Sequence, residues 1–259
     1  MDWREGETLW LEAGGRRLEA RCWGPPPGQA LTLALLHEGL GSVSLWRDFP
    51  ARLARATGCG VLAWSRAGYG QSDPVALPRP LDYMSREARE VLPEVLAGLE
   101  RFVLLGHSDG ASIAAVYGGE AADARLAGLV LIAPHFFTEP VGLAAIAAAR
   151  EAYAHTDLRA RLARHHRDPD NAFRGWNDAW LDPGFRSWNI EAALPGITVP
   201  VLAVQGAEDQ YGTLAQLAAL RAGLAGSCRQ EVLPDCRHAP HAEQPERLLA
   251  VVKRFIAGL

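Results

Sequence analysis

Lysine is nearly absent from this chain: Lys253 is one of 26 basic residues, and all the others are arginine. That bias points to no function. Basic residues do not outnumber the 30 acidic ones, and the net charge of -4 leaves no basic footprint for a nucleic-acid partner. Cysteine is scarce, and Cys22, Cys59, Cys228 and Cys236 form neither a C-x-x-C pair nor a zinc-ligand spacing. No stretch approaches the roughly 18 consecutive apolar residues that a membrane span needs. The opening Met-Asp-Trp-Arg-Glu-Gly-Glu lacks a basic start followed by an apolar run, so no secretory signal is predicted. These absences together predict a reduced, cytoplasmic protein with no nucleic-acid or membrane partner.

What is present is an alternation of short apolar runs and helical periodicities. With 259 residues, 49% of them hydrophobic, the chain can bury a large core. Residues 10–23 read as an antiparallel hairpin turning at Gly14-Gly15. Residues 31–37 form a continuous apolar run, as a strand buried on both faces should. Trp46, Phe49 and Leu53 then recur at helical spacing, and residues 60–65 give another strand. Residues 82–99 are helical in pattern, with an interruption or restart expected at Pro93.

Further strands are predicted just before Gly106 and at residues 128–133, 199–205 and 230–233. An amphipathic helix that carries Leu248, Leu249, Val252, Phe255 and Ile256, with Pro245 in its first turn, closes the chain. This β-α alternation predicts an α/β fold, a mainly parallel twisted sheet with helices on both faces. Residues 135–195 interrupt it with a helical segment rich in tryptophan and arginine. They are predicted to form an inserted helical cap, with residues 1–134 and 196–259 as the core.

The segment from Arg101 to Tyr117 reads as a strand, a tight Gly106-His-Ser-Asp-Gly110 turn and a small-residue helix. In that context G-x-S-x-G becomes a nucleophile elbow, with Ser108 on the sharp turn. A serine hydroxyl needs a base to take its proton, and the base needs an orienting acid. Asp209 follows an apolar strand in a Gly-x-x-Asp turn, and His238 follows the next strand. Each has an ordinary structural alternative: a helix cap for Ser108, a turn residue for Asp209, a loop residue for His238. All three at strand ends, where open α/β sheets bind ligands, favour a catalytic set.

The oxyanion of such a reaction needs backbone donors. The N–H of Asp109 is one candidate, and the loop Glu38-Gly-Leu-Gly-Ser42 offers a second. Gly39 is the first choice there, with Glu38 or Leu40 as alternatives.

At this point the chain resembles the α/β-hydrolase superfamily over essentially its whole length. His37-Glu-Gly-Leu-Gly-Ser42 is similar to that family's oxyanion loop, and Ser65-Arg-Ala-Gly-Tyr-Gly-Gln-Ser72 to its Arg-Gly turn. Gly206-Ala-Glu-Asp209 resembles the acid turn, and His238-Ala-Pro-His-Ala-Glu-Gln-Pro245 the His-x4-Glu-x-Pro ending. Three residues depart from the pattern: Glu38 stands for a glycine, Ser65 for an aspartate and Ala111 for a second elbow glycine. Combined with the elbow, the His-Glu-Gly-Leu-Gly-Ser loop resembles a bacterial subgroup described only as hydrolases, some placed near enzymes of aromatic degradation.

The resemblance implies an α/β-hydrolase with a Ser108–His238–Asp209 triad that needs no metal or organic cofactor. The expected substrate is a carboxylic ester of a small or medium apolar or aromatic acid. Carbon–carbon hydrolysis of a vinylogous diketone acid, peptidase action like that of a proline iminopeptidase, and ligand binding without turnover are the alternatives. His238 rather than His241 is expected to be the base, and His107 to pack beneath the elbow. Arg174, Trp176, Trp180 and Arg186 are candidates for gripping a substrate carboxylate and ring. His165 and His166 read as a solvated surface rather than a metal site. An apolar cap surface could support a homodimer.

Overall fold

The computed structural model describes residues 2–259. Among the described residues, eight strands form one sheet in which the first, second, fourth and third strands in chain order are followed by the fifth to the eighth. Strands β1 (Thr8–Ala13) and β2 (Arg16–Trp23) make the predicted hairpin, with Ala13 paired to Arg16. Its two turn residues, Gly14 and Gly15, both take left-handed backbone angles, φ 59° and 64°, which a two-residue hairpin turn requires. β2 runs antiparallel to β4 (Gly60–Trp64), and every later pairing is parallel. The first of these joins β3 (Thr32–Leu36) to β4.

The continuous apolar runs have a plain cause: both faces of the central strands are covered. Ala34 and Leu36 of β3 and Leu104 of β5 (Phe102–His107) face one core, while Leu33, Leu35, Val103 and Leu105 face the other. The second core is closed by Phe49 and Leu53 of α1 (Phe49–Thr57) and by Leu248 and Val252 of the last helix. The first holds Met84 of α2 (Tyr83–Arg86), Leu92 of α3 (Leu92–Val95) and the small face of α4 (Asp109–Glu120). Between α2 and α3 the chain makes a π turn, Glu87–Val91. The helical region thus stays continuous through Pro93, because widening the preceding turn absorbs the residue that lacks an N–H.

β6 (Leu126–Ile132) leads into α5 (Pro140–His155), α6 (Leu158–Leu162) and α7 (Pro169–Leu181). Two 3₁₀ turns, Pro183–Ser187 and Glu191–Gly196, return the chain to β7 (Val201–Gly206). Helix α8 (Ala215–Gly223), strand β8 (Cys228–Leu233) and helices α9 (Pro240–Glu243) and α10 (Pro245–Ile256) complete it. No helix among the described residues is long and apolar enough to cross a membrane.

The turn at Glu191–Gly196 is locked to α4 by two glycines. A Cβ on Gly119 would strike the Ala193 carbonyl, and one on Gly196 would strike the Gly119 carbonyl. Alanine gains roughly 1 kcal/mol over glycine within a helix. Gly119→Ala should nonetheless destabilise the protein by about 1–3 kcal/mol, because backbone must move to admit the methyl group. A urea unfolding curve checks the sign.

Candidate active site

Ser108 sits between the last residue of β5 and the first of α4, with φ 54° and ψ -118°. That backbone is costly for a non-glycine residue, by about 1–3 kcal/mol, and persists only when its surroundings hold it. Here they do. A Cβ on Gly106 would meet the backbone of Gly110, and one on Gly110 would meet the Leu36 carbonyl. The Ser108 N–H donates to Ile132 O at 2.9 Å, and Ser108 O accepts from Ala111 N at 2.8 Å.

Asp209 and His238 meet on the neighbouring loops. His238 Nδ1 lies 2.8 and 3.0 Å from the two Asp209 oxygens, and Asp209 Oδ1 also accepts the Tyr211 N–H at 2.9 Å. Burial opposes ionisation of Asp209. The His238 hydrogen bond, the His238 charge and the Tyr211 N–H outweigh it, and the carboxyl sits below its ordinary range. Gly206 of the Gly-x-x-Asp turn has no room for a Cβ, because the Cys236 and Arg237 carbonyls press against it. Glu243 braces the His238 loop from the other side, accepting the N–H groups of Arg237 at 2.8 Å and Ala239 at 2.9 Å. His241 stands elsewhere, buried against Trp46 and His107 at ring distances of 4.8 and 4.9 Å.

Ser108 and His238 border one cavity of about 90 Å³, together with Gly39 and Asp109. The Glu38 carbonyl accepts from Arg66 at 3.0 Å. C=O and N–H of one trans peptide point opposite ways, so the Gly39 N–H is directed away from Arg66. Trp176 lies so close over Gly39 that no side chain fits there.

The Asp109 carboxylate accepts the Tyr83 hydroxyl and, at 3.3 Å, the Trp180 indole N–H, with buried Arg66 at 3.9 Å. Burial raises its pKa against the opposing pull of Arg66 and Tyr83. Its two oxygens are therefore engaged by Tyr83 and Trp180, with Arg66 beside them.

The residues expected to bind substrate divide by chemistry. Trp176 and Trp180 wall the cavity; Arg174 and Arg186 are exposed and outside it. Arg174 and Trp176 are two residues apart on α7, hence about 200° apart around the helix. Arg186 lies on a 3₁₀ turn whose buried residue is Phe185.

The paired histidines also depart from expectation. His165 is partly exposed and bonds Ser44 at 2.9 Å, but His166 is buried rather than solvated. Its Nε2 donates to Leu40 O at 3.0 Å and its Nδ1 accepts the Gly70 N–H at 2.9 Å, tying α6's flank to the loop after β3. No group of three or more His, Cys, Asp or Glu among the described residues is placed to hold a metal ion.

Sequence reasoning missed His135, Tyr211 and Ile146, all of which border the cavity. His135 was findable, since it follows β6 at the same sheet edge as the triad candidates. Burial first, then the neighbouring His238 charge, holds it down at about 3, so this ring is neutral.

The family model described as "Alpha/beta hydrolase family" matches residues 33–251. Solved structures with the same fold include proline iminopeptidase from Mycobacterium smegmatis, at 20% identity and TM-score 0.73, covering 97% of this chain and 98% of that one. A thermophilic esterase from Thermogutta terrifontis aligns at 17% identity and TM-score 0.74, covering 98% and 99%. The enol-lactonase of Burkholderia xenovorans LB400 aligns at 20% identity and TM-score 0.73, covering 96% and 100%. A search of curated proteins returns no match.

Tyr83 holds both the Asp109 carboxylate and, at 3.1 Å, the Trp180 N–H. Tyr83→Phe leaves both without that partner and should cost about 1–3 kcal/mol of stability. Chemical denaturation of the two proteins measures the difference.

Proposed function

The chain belongs to the alpha/beta hydrolase family, and we propose that it cuts carboxylic esters of small apolar acids through an acyl-enzyme on Ser108. The carrying observation is the single cavity that Ser108, His238, Gly39 and Asp109 share, with the far side of the His238 ring tied to Asp209 at 2.8 Å. Donation from Nδ1 to Asp209 fixes the tautomer and leaves Nε2 as the acceptor for the Ser108 proton. Ser108 Oγ then attacks the acyl carbon while the N–H groups of Gly39 and Asp109 receive the oxyanion. His238 returns the proton to the leaving alcohol, and water repeats the sequence to release the acid. Asp209 stabilises the imidazolium formed in each half. In this reading residues 135–195 serve as a cap, lending Ile146, Trp176 and Trp180 to the acyl pocket.

The size and lining of the cavity favour one substrate class over the others. At about 90 Å³ it falls well below the roughly 300 Å³ at which pockets for drug-sized ligands begin. Its walls carry no arginine or lysine, which disfavours a diketone acid whose carboxylate would need a cation. Two carboxylates border it, but Glu38 faces His107 and Asp109 is held by Tyr83 and Trp180. Neither is left to hold the free amine of a peptide. A short apolar acyl group fits these walls best.

Treatment with a fluorophosphonate should add one adduct at Ser108, read by intact mass and peptide mapping. Ser108→Ala should take no adduct and lose turnover with its melting temperature unchanged. Retained hydrolysis in that variant overturns the mechanism. Among p-nitrophenyl esters, kcat/KM should fall about tenfold or more from butyrate to octanoate, since a small hydrophobic pocket discriminates by about 1–3 kcal/mol per methylene. A rise toward octanoate contradicts the short-acyl reading. Tight ligand binding with neither adduct nor turnover would instead indicate a binding protein.

A further inference from the structure

A second imidazole stands beside His238. His107, the residue before Ser108, is 1% exposed, and its ring centre lies 5.1 Å from that of His238. Its Nε2 is 2.8 Å from the His238 carbonyl oxygen, and its Nδ1 is 3.3 Å from Glu38 Oε2. A carbonyl oxygen only accepts, and so does an ionised carboxylate. Both contacts are hydrogen bonds together only if the ring carries two protons, or if the proton between Nδ1 and Oε2 rests on the carboxyl. Reference affinities of about 6.5 for histidine and 4.3 for glutamate place it on the ring.

The surroundings agree. His241, on α9, meets His107 edge-on at 4.9 Å, and burial followed by repulsion from His107 holds it neutral, down at about 3. Trp46, in the 3₁₀ turn Val43–Trp46, faces the ring at 6.3 Å. Asp209 lies beyond His238 and adds a weaker attraction. Glu38 is thus the counter-charge in direct contact. Burial works against charge on both partners, yet each overcomes it through the other: His107 is raised and Glu38 is held below the usual carboxylate range.

We propose that Glu38, partly exposed at the cavity edge, and the buried His107 form a carboxylate–imidazolium pair that positions the base, with His107 holding the main chain of His238 in place. The positioning role rests on the reading of Ser108 and His238 given above. Glu243 already fixes the N–H groups of Arg237 and Ala239. His107 fixes the carbonyl between them, so the polar main chain around the base is held from two sides. The same pairing explains how a carboxylate is tolerated at position 38, where the family pattern has glycine. Its charge is balanced by His107 instead of opposing the oxyanion.

Nitrogen-15 NMR of histidine-labelled protein reads the pair directly, with His107 assigned by the signal missing from His107→Phe. Both ring nitrogens of His107 should stay protonated from about pH 6 to pH 8, well past the histidine reference. In Glu38→Gln the ring should carry one proton, because the new amide donates to Nδ1. That variant removes the charge while the Nε2–H tie to the His238 carbonyl stays, so it separates the two parts of the proposal. His107→Phe cuts the tie and should lower kcat for p-nitrophenyl acetate about tenfold or more, as small misplacements of a catalytic group do, with KM little changed. If His107→Phe does not fold, assignment passes to the ring signal that Glu38→Gln alone moves, and His107→Leu, which also cuts the tie, replaces it in the kinetic test with the same loss of kcat expected.

A singly protonated His107 at neutral pH overturns the pair whether or not esters are cut. A folded His107→Phe with kcat within about twofold of wild type overturns the positioning role, since the loss expected of a misplaced base is larger. An imidazolium in a wild-type protein that neither cuts esters nor takes an adduct overturns the catalytic reading and that role with it.

Discussion

Backbone crowding at the carboxyl edge of the sheet is the constraint on which the rest of the site depends. Gly106 presses on Gly110, Gly110 on the Leu36 carbonyl, and Gly206 on the carbonyls of Cys236 and Arg237. Each contact brings two loops closer than any side chain allows. Ser108 is thereby forced to its left-handed backbone angle, and the loops of Asp209 and His238 are stacked so that their side chains meet. The strain at Ser108 is offset by the packing of β3, β5 and α4 around it, which ties the precision of the site to the central core.

Buried charge is the second organising feature. Arg66, 1% exposed, donates to the carbonyls of His37 and Glu38 and lies beside Asp109, while the His37 ring accepts the Arg66 N–H at 3.0 Å. One guanidinium therefore serves both the loop after β3 and the first turn of α4.

Where the sequence departs from its family pattern, a partner elsewhere makes up the difference. Ser65 stands for an aspartate, and Glu19 of β2 supplies the missing carboxylate. Glu19 accepts the Ser65 hydroxyl at 2.8 Å and the Gln71 N–H at 2.9 Å, within the same turn. Ala111, where a second elbow glycine is common, sits fully buried in the core with its methyl accommodated.

Much of this architecture is legible in the chain because its causes are local or periodic. Strands buried on both faces must be apolar throughout, a hairpin turning at Gly14-Gly15 must use residues that tolerate left-handed angles, and an elbow crossing strand and helix must have Gly106 and Gly110. Those requirements act on residues near one another, so composition and spacing reveal them. The order Ser108, Asp209, His238 was visible for the same reason, each residue following its own strand. Which side chains face the cavity was legible only in part: Trp176 and Trp180 line it, whereas Arg174 and Arg186 do not. Arg174 and Trp176 are neighbours in sequence and opposed around a helix; His166 is buried because Gly70 and Leu40, both far away along the chain, supply its partners. The links from Glu19 to Ser65 and from Glu38 through His107 to the His238 carbonyl join segments that carry no common pattern. Only folding brings such groups within hydrogen-bond range, and a buried polar group takes whatever partner the fold delivers.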